Sequence, residues 1–188
     1  MSNEAAIAAT RKKAMSARLA IPLPPPVPGA RWIPLTKGLF AIVDESDYPA
    51  VCEQSWTAMI LPRTRYAYYR RRLAGGQPTF LLHRVILGVT DSQQVDHRDG
   101  DGLNCRRYNM RVCSVRENHC NVRKRLGPSS SPLKGVIFDK SRLLWISRIK
   151  AFGKSIHLGR FQTELEAALA YDSAAKLHFG EFARLNFQ

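Results

Sequence analysis

VDHRDGDGLNCRRYNMRVCSVRENHCN, residues 95–121, decides the reading of this 188-residue chain. It places an Asp-His pair, four asparagines, two of them well separated at 109 and 118, and five arginines in one short segment. QVDH (94–97) reads as a short strand, RDGDGLNCRRY (98–108) as a loop of turn formers, and MRVC (110–113) as the returning strand. Ser114 and Glu117 have capping-box spacing, in which a hydroxyl and a carboxylate satisfy each other's open backbone donors. The spacing predicts a helix from about Val115 to Arg125. Folded against the hairpin, that helix lets Asn118, one turn in, face His97 across a small gap.

Those residue types suit one chemistry. Asp96 supplies a carboxylate and Asn118 an amide oxygen, both hard donors for Mg²⁺ or Mn²⁺ that leave positions open for phosphate and water. Phosphodiester hydrolysis needs a deprotonated water and positive charge beside the developing negative charge. An imidazole titrating near neutrality can accept that proton, which makes His97 the candidate general base. An Asp-His dipeptide alone would be an ordinary turn; the constellation carries the argument.

The segment resembles the HNH nuclease motif with its beta-beta-alpha-metal fold, as found in phage-type homing endonucleases. Asp96-His97, Asn109 and Asn118 match its landmarks in order. The resemblance implies that His97 activates water, that Asp96 and Asn118 hold one divalent ion, and that Asn109 ties the loop to the hairpin by hydrogen bonds. It makes His97 and Asn109 the catalytic pair.

Charge points to the same substrate. Lys and Arg number 29 against 15 Asp and Glu, a formal net charge of +14. Such a field draws polyanions, and nucleic acid is the leading partner. Between Glu53 and Asp91 no residue is acidic, whereas Arg63, Arg65, Arg70, Arg71, Arg72 and Arg84 all fall there. A solvated basic surface is the bland alternative. No apolar run is long enough to span a bilayer, and residues 1–20 lack a signal-peptide core, so no membrane partner and a cytoplasmic setting are expected, the bacterial host cell if the chain is phage-encoded. Cys52, Cys105, Cys113 and Cys120 show no CxxC spacing, so free buried thiols are expected ahead of disulfides or a zinc site.

Upstream, residues 1–20 suit a short basic helix, and IPLPPPVPG (21–29) is extended because successive prolines remove donors. LFAIVD (39–44), WTAMIL (56–61) and RYAYYRRR (65–72) read as strands, with a turn at Gly75-Gly76. FLLHRVILG (80–88) has helical spacing and a glycine stop, and His83 within it is read as a core or capping histidine without chemistry. IPLTKGLFAIVD and LHRVILG are similar to the segment preceding the motif in the same phage nucleases. That segment is expected to brace the hairpin and to supply arginines for phosphates.

Downstream, LGPSSSP (126–132) breaks the helix and sets a domain boundary near Pro128. KGVIF (134–138), LLWISRIK (143–150) and KSIHLGRF (154–161) read as three strands. A final helix follows, capped by Thr163 and Glu166, with Ala167, Ala170 and Ala174 on one side and a stop at Gly180. Alternation points Trp145, Ser147 and Ile149 one way and Ile146, Arg148 and Lys150 the other, with Trp145 and Ile149 under the helix. Residues 133–187 resemble the Apetala-type DNA-binding domain of plant ethylene-response factors through the GV, HLGRF, EAALAYD, AA and LNF elements. The resemblance implies a sheet laid in the major groove, with Lys134, Ser155 and His157 beside Arg148 and Lys150.

The expectation is therefore an α+β protein in five parts: a basic tail and Pro-rich spacer (1–30), a strand-rich brace (31–90), an HNH nuclease core (91–127), a linker (128–132) and a three-stranded sheet on one helix (133–188). It is expected to be a metal-dependent endonuclease on double-stranded DNA, monomeric when bound. Arg106, Arg107, Arg123 and Lys124 join the C-terminal residues as expected DNA contacts. A non-catalytic DNA-binding regulator on the same scaffold is the alternative, with an RNA-binding or ribosome-associated protein third.

Overall fold

The computed structural model describes residues 22–62, 64–73, 75–90, 92–124 and 129–187. The expected basic helix at 1–20 and Arg63 lie outside them. The fold is mixed α+β, with several small sheets and few helices, in two compact units that meet in sequence between Cys113 and Ser114.

In the first unit the Pro-rich stretch forms neither helix nor strand from residue 22 and turns at residues 28–29, and the Pro25 carbonyl accepts from Trp32 Nε1 at 2.9 Å. β1 (Ala30–Pro34) and β2 (Phe40–Asp44) pair antiparallel, and β7 (Asn104–Cys105) joins β2 in parallel. β3 (Thr57–Ile60), β4 (Arg65–Arg70) and β5 (Thr79–Leu81) form a second sheet, and β6 (Gln94–His97) pairs with β8 (Met110–Cys113). Two short helices, α1 (Tyr48–Val51) and α2 (Leu82–Leu87), complete the unit. FLLHRVILG divides as strand then helix: Thr79–Leu81 extend β5 and the helix begins only at Leu82. It stops at Gly88, whose left-handed φ of 64° a side chain would strain.

One core holds this unit together. Ile33, Ala41, Val43 and Trp56 share it with Leu82, Val95, Leu103, Cys105 and Met110. Residues of the expected brace and of the motif are thus buried in a single cluster. Trp56 is its largest fully buried side chain, with Nε1 donating to the Val51 carbonyl at 2.8 Å and the ring edge-on to Tyr69. Removing it would cost about 3–5 kcal/mol.

The second unit begins with α3 (Val115–Cys120), followed by β9 (Val136–Asp139), β10 (Leu144–Ala151), β11 (Lys154–Phe161) and α4 (Glu164–Phe179). Both helices start on complete capping boxes, Ser114 with Glu117 and Thr163 with Glu166. α3 ends at Cys120, with Asn121 as its cap, well short of the expected Arg125, which lies outside the described residues along with Pro128. The division of the chain falls before α3, whereas the sequence places a boundary near Pro128. The reason is visible within the unit. Lys134 Nζ donates to the Cys120 carbonyl at 3.0 Å, and Arg116 stacks over the Phe152 ring at 4.3 Å.

The face of α4 turned to the sheet is Ala167, Ala168, Tyr171 and Ala175, with Ala170 and Ala174 only half-buried. The expected alanine stripe is thus turned slightly, because Tyr171 takes the central place. Asp172, also buried, accepts from the backbone N–H groups of Asn186 and Phe187. The Asn186 amide in turn bridges both backbone groups of Lys134. Trp145 and Ile149 pack toward the helix as alternation requires, while an irregularity between Ser147 and Arg148 breaks the β10–β11 register and Ile146 is buried as well.

Candidate active site

The hairpin β6–β8 carries the candidate centre. Its register sets Asp96 opposite Arg111 and His97 opposite Met110. Asp96, His97 and Asn109 are all buried, at 4, 6 and 2% exposure, so these polar groups must find partners inside the protein.

Asn109 does so most fully. Its Oδ1 accepts from the Asp99 N–H at 3.1 Å, and its Nδ2 donates to Asp99 Oδ1 at 3.0 Å and to the Asn104 carbonyl at 2.8 Å. The Asn109 carbonyl accepts from the Arg98 N–H, and the His97 carbonyl from the Gly100 N–H. Asn104 Nδ2 donates to Asp99 Oδ2 at 2.7 Å. One buried amide thereby closes the whole loop 98–109 onto the hairpin and fixes the backbone on which His97 sits.

Asp96 is held by a guanidinium. Arg111 donates to Asp96 Oδ2 through Nε at 2.8 Å and Nη2 at 2.6 Å, and both side chains are more than nine-tenths buried. Oriented this way the carboxylate is a rigid oxygen donor, and any cation it bound would share it with Arg111. Its hard-donor chemistry fits Mg²⁺ or Mn²⁺. Asn118, the other expected donor, is half-buried on α3 in the second unit, so the first unit brings together Asp96, His97 and Asn109 only. Among the described residues no group of three or more His, Cys, Asp or Glu side chains gathers as a metal cluster.

Burial pushes the His97 imidazole below its ordinary value, while the carboxylates of Asp99, Asp96 and Asp101 pull it back up. The ring is therefore neutral near pH 7, the state a proton acceptor requires. It is walled by two other rings. His83 from α2 meets it edge-on, with centroids 5.1 Å apart at 87°, and Tyr66 from β4 lies 6.0 Å away. His83 and Tyr66 also touch each other at 5.2 Å. Burial, then the charges of His97 and Arg84, bring His83 down to about 3. The helical pattern of FLLHRVILG hides this neighbour, since nothing in sequence spacing links residue 83 to residue 97.

The expected DNA contacts separate into two groups. Arg106 Nε donates to Asp44 at 2.8 Å, and Arg107 grips Asp47 through Nε and Nη2 at 2.8 and 2.7 Å while also donating to the Ile86 carbonyl. Burial pushes the Asp44 carboxyl up, but the hydrogen bonds from Arg106 and the Arg107 N–H outweigh it and hold it below its ordinary value. Lys124 Nζ donates to the carbonyls of Ser131 and Leu133 at 2.7 and 2.8 Å. Lys134, brought down to about 8 by burial, caps α3. These four cations hold the protein's own acceptors. Arg148, Lys150, Ser155 and His157 are exposed, and the β10–β11 register sets Arg148 opposite His157 and Lys150 opposite Ser155. Arg123 is exposed too.

All four cysteines are free thiols, with Cys105 and Cys113 buried and Cys52 and Cys120 half-buried. No helix among the described residues is long and apolar enough to cross a membrane.

Fold and site together define an α+β protein with a buried Asp-His-Asn centre on an antiparallel hairpin, followed by a separate basic sheet-and-helix unit. No family model matches the chain. It belongs to the family of Protein 3.8 of Escherichia phage T7, to which it is 37% identical over 91 residues, covering 48% of this chain and 73% of that protein.

Proposed function

We propose that this protein is a divalent-metal-dependent DNA endonuclease of the HNH type, acting in the host cytoplasm. The observation that carries the reading is the buried His97 imidazole, next in the strand to a carboxylate that Arg111 fixes and on a hairpin whose loop Asn109 closes with its own amide. His97 takes the proton of the attacking water, Asn109 keeps the hairpin and loop in one geometry, and Arg111 orients Asp96. Asp96, with its hard carboxylate oxygens, would hold Mg²⁺ or Mn²⁺, which when bound would stabilise the charge that develops on the phosphate; Asn118 is the amide donor that the sequence motif adds. The paired positions Arg148–His157 and Lys150–Ser155 form the contact face toward the major groove, with Arg123 as a phosphate contact.

His97→Ala abolishes cleavage of supercoiled plasmid in Mg²⁺ while duplex binding persists; unchanged cutting would remove His97 from the mechanism. The Asp96–Arg111 ion pair favours a second reading, in which the same scaffold grips DNA without cutting it. Plasmid incubated with and without EDTA separates the two, since the endonuclease cuts only without chelator and the regulator leaves plasmid intact in both.

A further inference from the structure

Resting on the endonuclease reading, we propose that His83 and Tyr66 are positioning residues for His97, two ring walls from separate elements that set the plane of its imidazole. The three rings form a closed triangle, with centroid separations of 5.1, 5.2 and 6.0 Å. Each comes from a different element: His83 from the first turn of α2, Tyr66 from β4 and His97 from the end of β6. His83 is 5% exposed, and its Nδ1 has no hydrogen-bond partner among the described residues.

A buried polar atom without a partner is costly, so an aliphatic side chain of similar size would stabilise this core better. What a histidine supplies here is a flat edge against the face of a second flat ring, a contact with a preferred angle that Leu or Val lacks. Gly102 locks the second wall. A Cβ there would run into the Tyr66 ring and the Arg65 carbonyl, so the loop after His97 is seated directly on β4. A base displaced by a small rotation transfers its proton poorly, and misplacement on the order of 1 Å costs up to about a hundredfold in rate.

The test is plasmid cleavage kinetics in Mg²⁺ for His83→Ala, His83→Phe, Tyr66→Leu and Tyr66→Phe. His83→Ala and Tyr66→Leu are expected to lower kcat by about ten- to a hundredfold with KM for plasmid unchanged. His83→Phe and Tyr66→Phe, which keep the rings, restore it. Wild-type kcat in His83→Ala, or a His83→Phe as slow as His83→Ala, overturns the proposal while loss of cutting in His97→Ala leaves the endonuclease reading standing. If the wild-type protein cuts no plasmid, that reading falls, and ring resonances of His97 then decide the positioning alone. Sharp lines in the wild type and His83→Phe with broadened or doubled lines in His83→Ala support it, and identical lines in all three overturn it.

Discussion

The Asp96–Arg111 pair shows what a single residue contributes. Two charges more than nine-tenths buried are costly to desolvate, and their attraction offsets that cost only while both are present. Arg111→Leu should therefore destabilise the protein by about 3–5 kcal/mol, read as a shift of the urea midpoint. If Asp96 is a cation ligand, Mg²⁺ should raise the midpoint of this variant more than that of the wild type; equal shifts would argue against the ligand role. Asn109→Ala should cost about 2–4 kcal/mol, because it leaves the Asp99 N–H and the Asn104 carbonyl without their partner. Titration of His83 has a definite sign. The unfolded imidazole binds a proton below about 6.5, whereas the folded one resists until about 3. The unfolded state thus binds more protons throughout that window, and stability falls as pH drops through it, by up to about 1.4 kcal/mol per pH unit. Urea midpoints at pH 7.5, 6 and 5 should show this slope, and His83→Phe should flatten it.

Among the elements, legibility followed local information. Both capping boxes and the glycine stop after α2 rest on neighbours in the chain, and residue types alone predict them, whereas the alternation read for β10 holds for Trp145 and Ile149 but not for the buried Ile146. β7 could not be read this way. Two residues within DGLNC carry no alternation, and their strand character comes from pairing with Ile42 and Val43, sixty residues away. α3 ends early for a related reason: Asn121 caps it, and the Lys134 ammonium, which lies beyond the linker in sequence, takes the Cys120 carbonyl. Gly102 belongs to the same scale, since β4 and the loop approach too closely for any side chain. Gly102→Ala should lower thermal stability by about 1–3 kcal/mol, with calorimetry as the measurement. A melting temperature equal to wild type would mean that the loop yields at no cost.

For the whole molecule, a formal charge of +14 favours a polyanionic partner, and the charge alone does not single out the cations that would meet it. Arg106, Arg107, Lys124 and Lys134 look in sequence like Arg148 and Lys150, yet the first four hold internal carboxylates and carbonyls. Replacing Arg148 and Lys150 together by Ala should weaken duplex binding and reduce the slope of log affinity against log salt by about one per lost phosphate contact. Wild-type affinity and slope in this variant would place the DNA face elsewhere. Residue types and spacing by themselves determined the hairpin, the helix caps and the sheet-and-helix unit, because each is written in short-range pattern, and Asn109 joined Asp96 and His97 only through the resemblance to a known motif. Only the tertiary structure decided that strands from residues 31–90 share one core with the motif, that His83 and Tyr66 lie against His97, and that Arg106, Arg107, Lys124 and Lys134 also bond the protein's own acceptors, because those facts depend on which distant side chains burial brings together.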